Sequence, residues 1–219
     1  MMSELSLSVK DLRVIVRIDG EAVGSLDGSA GPDPWFVLVP VNRFVATVEP
    51  TTATIACCRG CGPDCSAVEA RIQREGAVVR WVWGDREQRG ESGRRTTLFD
   101  AGAYDAEVSR LGADFGWETP LRRAGRLILS DLPLPPGLVG DRVCGGGSGR
   151  LEVWFTEPDE YQVFVTFPWD EARPDESAAE IRAVLAGPVA LWPARWHSIR
   201  GDRDEPPAYA GPAWQRAVL

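Results

Sequence analysis

Lysine and histidine are almost absent from this chain of 219 residues, which contains only Lys10 and His197. Every other cation is an arginine. Nucleophilic catalysis of the serine or cysteine type needs a histidine beside the nucleophile, so His197 is the one candidate for that role. Its neighbours Trp196 and Ser198 in an aromatic-rich tail favour a half-buried structural side chain instead. The sequence therefore favours a protein without catalysis and offers no catalytic residue.

Long apolar runs are also missing, since no stretch approaches the roughly 20 residues that a membrane helix needs. The first residues lack the basic segment, apolar segment and cleavage site of a secretory signal. We therefore expect a cytoplasmic protein without a membrane partner, in which thiols stay reduced. With 44% hydrophobic and 26% charged residues, the composition is that of a globular protein.

Basic residues are outnumbered by acidic ones, 24 against 32, and the net charge is −8. A nucleic-acid-binding protein usually presents a basic face to the phosphate backbone. Arg122, Arg123 and Arg126 form one cluster of cations, but helical spacing favours a solvated helix face. The charge predicts no nucleic-acid partner, and it would steer the chain towards a basic protein.

Period-two alternation predicts the first strand over 12–18, with Asp19-Gly20 as a hairpin turn. The apolar run Trp35–Val41 predicts a second strand, and Phe44–Val48 a short third one. Further alternation predicts two hairpins, one over 68–83 and one over 151–167.

Helical spacing of apolar residues predicts three helices, which begin near Asp100, Thr119 and Ser177. Because strands come in hairpins and helices in separate runs, the predicted fold class is α+β. We expect antiparallel hairpins in one or two sheets with about three helices packed on them. The predicted organisation is an α+β region over 1–132, a Pro/Gly-rich linker or loop over 133–149, and a hairpin, helix and Trp-rich tail over 150–219. These parts can also pack as one domain.

A cluster of four cysteines is the most distinctive chemical feature: Cys57, Cys58, Cys61 and Cys65. The sequence Cys58-x-x-Cys61-Gly62 has the form of a metal knuckle, in which a tight turn aims two thiolates at one ion. Cys65 would supply a third sulfur for a structural zinc, which needs four ligands. The candidates for the fourth ligand are Cys57, Cys144 and His197.

Two other interpretations of the cluster stay open. Adjacent cysteines in extended chain point in opposite directions, and no second CxxC accompanies the first, so the thiols can also be small buried or turn residues without a ligand. A redox dithiol is the third interpretation. It is disfavoured because Gly62-Pro63 and a predicted strand follow Cys61, whereas a redox CxxC usually opens a helix.

Residues 50–130 resemble an uncharacterised bacterial family with the motif Cys-x-Cys-Gly-x-x-Gly-Cys before a hairpin that ends in a Val-Trp strand. The residues that carry the resemblance are the cysteines, 68–72, 78–81, Phe99, Tyr104, Glu107 and 117–118. Here the first spacing is longer, and Asp64 stands where glycine is usual. The resemblance implies a related fold and no activity.

Nine tryptophans are many for this length, and Trp154 is the most informative of them. Trp154 and Phe164 fall on the face of their hairpin opposite Val153, so both faces are apolar. That second face either packs on a neighbouring sheet or binds a partner, for which tryptophan is well suited. We therefore expect a non-catalytic interaction module, such as an immunity-type protein or an accessory subunit. The alternative is a small enzyme that uses the thiols or a metal held by residues 57–65.

Overall fold

The structure of the chain is a computed structural model that describes residues 2–24, 29–58, 62–85, 94–147, 149–201 and 203–217. Of residues 29, 62–66 and 85 it describes the backbone alone. The chain divides into two compact units, Met1–Trp117 and Glu118–Leu219. No helix in the described ranges is long and apolar enough to cross a bilayer.

The first unit contains eight described strands and two helices. Its strands are β1 Leu5–Lys10, β2 Arg13–Ile18, β3 Glu21–Ala22, β4 Ser29–Ala30, β5 Thr51–Cys58, β6 Gly62–Glu75, β7 Val78–Asp85 and β8 Arg95–Asp100. Its helices are α1 Pro34–Leu38 and α2 Ala101–Gly112. The strands form an antiparallel sheet in the order β1-β2-β3 and a second one in the order β4-β5-β6-β7-β8.

An aromatic cluster lies at the centre of the first unit. Alternation along β7 turns Val79 and Trp81 inward, where neither is exposed at all. The Trp81 ring contacts Phe99 at 5.3 Å and Tyr104 at 6.1 Å between centroids, both edge to face. The Trp81 indole N–H donates to the Tyr104 hydroxyl, which donates to the Phe44 carbonyl. Strand β7, helix α2 and the segment before β5 are thus joined through buried polar contacts.

Helix α2 also closes the free edge of β1. The Leu7 amide donates to the Glu107 carboxylate at 2.5 Å, and the Leu7 carbonyl accepts from the Arg110 guanidinium. Arg110 and Glu107 are themselves paired at 2.7 Å. Because unpaired strand edges are templates for association with other chains, this pair of side chains blocks β1 from such pairing.

The second unit contains five described strands and two helices. They are α3 Pro120–Leu129, β9 Val139–Gly145, β10 Arg150–Glu157, β11 Tyr161–Pro168, α4 Pro174–Leu185, β12 Ala194–Ser198 and β13 Gln215–Arg216, with a 3-10 turn at Val189–Leu191. The sheet order is β13-β12-β11-β10-β9, antiparallel except for the β12–β13 pair.

Helix α3 packs on one face of this sheet, which we call the inner face. Gly140 and Gly145 pair with Phe155 and Leu151, so all four lie on that face. A Cβ on Gly140 would meet the Leu129 side chain at 2.8 Å, so the absence of a side chain lets α3 approach β9 closely. Helix α4 packs beside α3. The opposite, outer face of the sheet therefore does not carry these helices.

The predicted fold class is confirmed, and the described residues form three sheets instead of one or two, with four helices. The predicted strand over 35–41 is wrong, because Asp33 caps helix α1 by accepting from the Trp35 amide at 2.8 Å and Pro34 opens it. The predicted strand over 44–48 is also wrong, since the Asn42 side chain accepts from the Phe44 amide and forms a turn there. Residues 139–145, within the predicted linker, form β9. The boundary between the two units lies at 117/118.

Candidate functional site

The two adjacent cysteines at the end of β5 have different surroundings. Cys57 is 2% exposed, and its thiol donates weakly to the Gly31 carbonyl at 3.9 Å. Burial raises the pKa of the Cys57 thiol above its ordinary value. Cys58 is half-buried, and the pairing of β5 with β6 is irregular between the two cysteines. A reactive thiol needs a lowered pKa, so Cys57 has the character of a packing residue.

The remaining cysteines of the cluster are only partly described. Cys58 pairs with Gly62 and Cys57 with Ala67, so the β6 backbone accommodates additional residues between these two pairs, and Cys65 is one of them. Cys61 and the Cys65 side chain lie outside the described residues. Among the side chains that are described, no group of three or more His, Cys, Asp or Glu could hold a metal ion. Metal binding at Cys58, Cys61 and Cys65 stays a prediction.

The other two candidates for the fourth metal ligand, Cys144 and His197, lie on the sheet of the second unit. Cys144 is in β9, opposite Glu152, and burial raises the pKa of its thiol. His197 is in β12, opposite Gln162, and is half-buried.

The outer face of the sheet in the second unit carries a row of four side chains, in register across β9, β10, β11 and β12. We call it the Arg-aromatic row: Arg142, Trp154, Phe164 and Arg195. The two central rings meet edge to face at 4.9 Å. The Arg142 guanidinium lies 5.4 Å from the centroid of the Trp154 ring, and the Arg195 guanidinium lies 5.9 Å from that of Phe164. Each ring thus has a cation within the distance of a cation–π contact.

Glu152 fixes the geometry of this row. Its carboxylate accepts from the Trp154 indole N–H at 2.7 Å, from the Thr166 hydroxyl at 3.1 Å and from the Arg195 guanidinium at 2.5 Å. Arg142 is paired with Asp141 at 3.0 Å. Each arginine of the row therefore has a carboxylate beside it. The row combines two partly exposed guanidinium groups with the half-buried Trp154 ring and with Phe164, which is only 2% exposed.

Sequence reasoning identified Trp154 and Phe164 on this face but missed the two arginines. The signal for the aromatic pair is local, because both rings belong to one hairpin. Arg142 and Arg195 join them only through the pairing of β9 and β12, which brings together residues far apart in sequence.

Arg123 and Arg126 on α3 are bound to carboxylates. Arg123 pairs with Asp175 of α4 at 2.5 Å, and Arg126 pairs with Glu118 at 2.5 Å. The Arg123–Asp175 pair joins α3 to the first turn of α4. The Arg126–Glu118 pair joins α3 to the residues that precede it. Both pairs reduce the charge that α3 would offer to a phosphate backbone.

Comparisons of the chain with family models, with curated proteins and with solved structures find no match. The resemblance over residues 50–130 accordingly stays a prediction.

Proposed function

We propose that this protein is a non-catalytic, cytoplasmic protein-interaction module, and that its partner binds the Arg-aromatic row on the outer face of the sheet in the second unit. The observation that supports the proposal is the composition of the row. Tryptophan and arginine are the residues most enriched among those that dominate protein–protein affinity, and here they lie in one register line of a β-sheet.

Preorganisation is the second argument for this surface. The Glu152 carboxylate holds both the Trp154 indole and the Arg195 guanidinium, so neither long side chain has to be ordered when a partner arrives. Ordering a flexible side chain at an interface costs roughly 0.5–1.5 kcal/mol. A surface held in place in this way loses less entropy on binding.

The charge of the chain indicates a basic partner. A net charge of −8 attracts a basic protein over distances of about a Debye length. The arginines of the row would not repel such a partner, because Asp141 and Glu152 lie beside them. An immunity-type protein that masks a basic toxin, or an accessory subunit of a basic enzyme, would combine these properties.

The test is affinity purification of the full chain from its native host, followed by kinetics with the recovered protein. We expect a stoichiometric partner of positive net charge whose association rate falls as salt rises. Trp154→Ala should weaken binding about thirtyfold, the roughly 2 kcal/mol of a dominant interface residue. Leu191→Ala is the matched control, because Leu191 is an apolar side chain of the same unit that is 75% exposed. Failure to recover a stoichiometric partner, or equal affinity of Trp154→Ala and wild type, would contradict the proposal.

A second candidate function is a metal-stapled loop between β5 and β6. The observation in its favour is the pairing of Cys58 with Gly62, which brings the two ends of the knuckle sequence opposite each other. Zinc bound there would contribute to folding free energy. Elemental analysis should find about one zinc per chain, and Cys61→Ser should lose it and melt at a lower temperature. Cys144→Ser serves as the control for loss of a thiol elsewhere. Metal-free protein with unchanged stability in Cys61→Ser would refute this candidate.

A further inference from the structure

The outward face of the first five-stranded sheet carries a cavity of about 410 Å³ across β6, β7 and the start of β8. The residues that line it are Arg71, Gln73, Arg80, Val82, Arg94 and Thr96. The strand register brings most of these side chains together. Val82 pairs with Arg71 on one side and with Thr96 on the other, and Arg80 pairs with Gln73. Val82 is the apolar floor, and the polar side chains surround it.

The described polar side chains of the lining can all donate hydrogen bonds. Three guanidinium groups, one amide and one hydroxyl face the same space, and in the described part of the chain no carboxylate lines it. Arg80 makes a long contact of 3.4 Å to Glu75 at the rim, with both side chains more than 40% exposed, 43% and 47%. Among the described residues, Arg71 and Arg94 have no carboxylate partner. A positive concavity of this kind is unexpected on a chain of net charge −8.

From this arrangement we infer that the cavity binds a small ligand that bears one or more phosphate groups. Guanidinium groups recognise phosphate through paired, charge-assisted hydrogen bonds. Arg71 lies on β6, Arg80 on β7 and Arg94 just before β8, so three separate guanidinium groups line one space, which suits the several terminal oxygens of a phosphoryl group better than the single pair of a carboxylate. The volume lies within the range of about 300–1,000 Å³ that small-molecule sites occupy.

Two features favour a small ligand over a nucleic acid. The described arginines of this site line one concavity, whereas a nucleic-acid backbone needs a basic surface that follows the strand. The net charge of −8 would repel an extended polyanion beyond the cavity. The site is on a different sheet from the Arg-aromatic row, and the inference does not depend on the proposed partner.

Calorimetric titration of the full chain with sodium pyrophosphate at constant ionic strength tests the inference. We expect saturable binding of one pyrophosphate per chain, with inorganic phosphate weaker and succinate at least tenfold weaker than pyrophosphate. Arg71→Gln and Arg80→Gln should each weaken pyrophosphate binding tenfold or more. Arg43→Gln, which removes an exposed arginine of the same unit outside the cavity, should leave it unchanged.

Three results would overturn the inference. The first is the absence of saturable binding at millimolar pyrophosphate. The second is an equal loss of affinity in Arg43→Gln and Arg71→Gln, which would show that net charge and not the cavity attracts the anion. The third is length-dependent binding of single-stranded oligonucleotides that pyrophosphate does not compete with, which would assign the arginines to a nucleic acid. Circular dichroism of each variant checks that the surface substitutions leave the fold intact.

Discussion

The buried hydroxyl of Tyr104 allows a sharp test of how the first unit is stabilised. Tyr104 is 1% exposed, and its hydroxyl accepts from the Trp81 indole at 3.2 Å and donates to the Phe44 carbonyl at 2.6 Å. Burial raises the pKa of Tyr104, so the hydroxyl stays protonated and able to donate throughout the neutral range. Tyr104→Phe removes this single oxygen and keeps the ring that packs against Trp81.

The expected cost follows from what the substitution leaves behind. Trp81 and Phe44 are not exposed at all, so water cannot replace the lost partner of either the indole N–H or the carbonyl. A buried polar group without a partner costs about 1–3 kcal/mol. The gain from no longer burying a hydroxyl offsets part of two such losses. We therefore expect Tyr104→Phe to lower the free energy of unfolding by about 2–4 kcal/mol.

Urea denaturation followed by circular dichroism measures this change, with one or two transitions fitted as the wild type requires. The matched control is Tyr161→Phe in the second unit, where the hydroxyl makes a single bond of 3.2 Å to the Glu205 carbonyl at a partly buried position. That substitution should cost about 1 kcal/mol or less. A cost below about 0.5 kcal/mol for Tyr104→Phe, the level of an ordinary surface change, would refute the reasoning.

Three further predictions concern a buried ion pair, a titrating carboxylate and a close backbone approach. Arg126→Met should lower the unfolding free energy by about 3 kcal/mol or more, because it leaves the Glu118 side chain, only 3% exposed, without its partner; Arg126→Met/Glu118→Gln should recover much of that loss in the same urea assay. Glu107→Gln should destabilise the protein near neutral pH but not in acid. The hydrogen bond from Arg110 lowers the pKa of Glu107 in the folded state, so its contribution is fully present above the unfolded pKa of about 4.3 and is lost as the pH falls through the folded pKa. Gly31→Ala should lower the melting temperature strongly, because its Cβ would lie 1.7 Å from the Val14 carbonyl oxygen.

Each of these predictions has a result that contradicts it. If the double variant at 118 and 126 is no more stable than Arg126→Met, burial of an unpaired carboxylate is not the cause. If the stability difference between wild type and Glu107→Gln is the same at pH 7 and pH 3, Glu107 does not titrate with the lowered pKa. Gly102→Ala is the control for Gly31→Ala, since its Cβ would meet only the Asp100 side chain at 3.3 Å, and equal effects of the two would exclude a specific clash.

The parts of the fold that sequence predicted well depend on neighbouring residues. The hairpin of β10 and β11 has Trp154 opposite Phe164, as alternation indicates, and α2 and α3 begin at the predicted caps Asp100 and Thr119. The failure at 35–41 has the same local origin. Asp33-Pro34 is a helix start signal, and it outweighs the strand preference of the apolar run that follows it.

The binding surfaces could be predicted only in part, because each combines strands that are distant in sequence. Arg71 and Arg80 are outward residues of a predicted hairpin, but Arg94 lies just before β8 and comes near them only because β8 pairs with β7. The same holds for Arg142 in the Arg-aromatic row, since it lies in the stretch 133–149 that resembles a linker.

Gly140 has a specific structural role within that stretch. In a sequence, Gly140 indicates flexibility, because glycine is the residue least restricted in backbone conformation. In the fold it has the opposite role: it leaves the space into which the Leu129 side chain of α3 packs, and a Cβ there would lie 2.8 Å from that side chain. The close contact fixes β9 under the helix, and β9 in turn places Arg142 beside Trp154. Gly140 therefore allows the strand that carries Arg142, at one end of the proposed interface, to join the sheet.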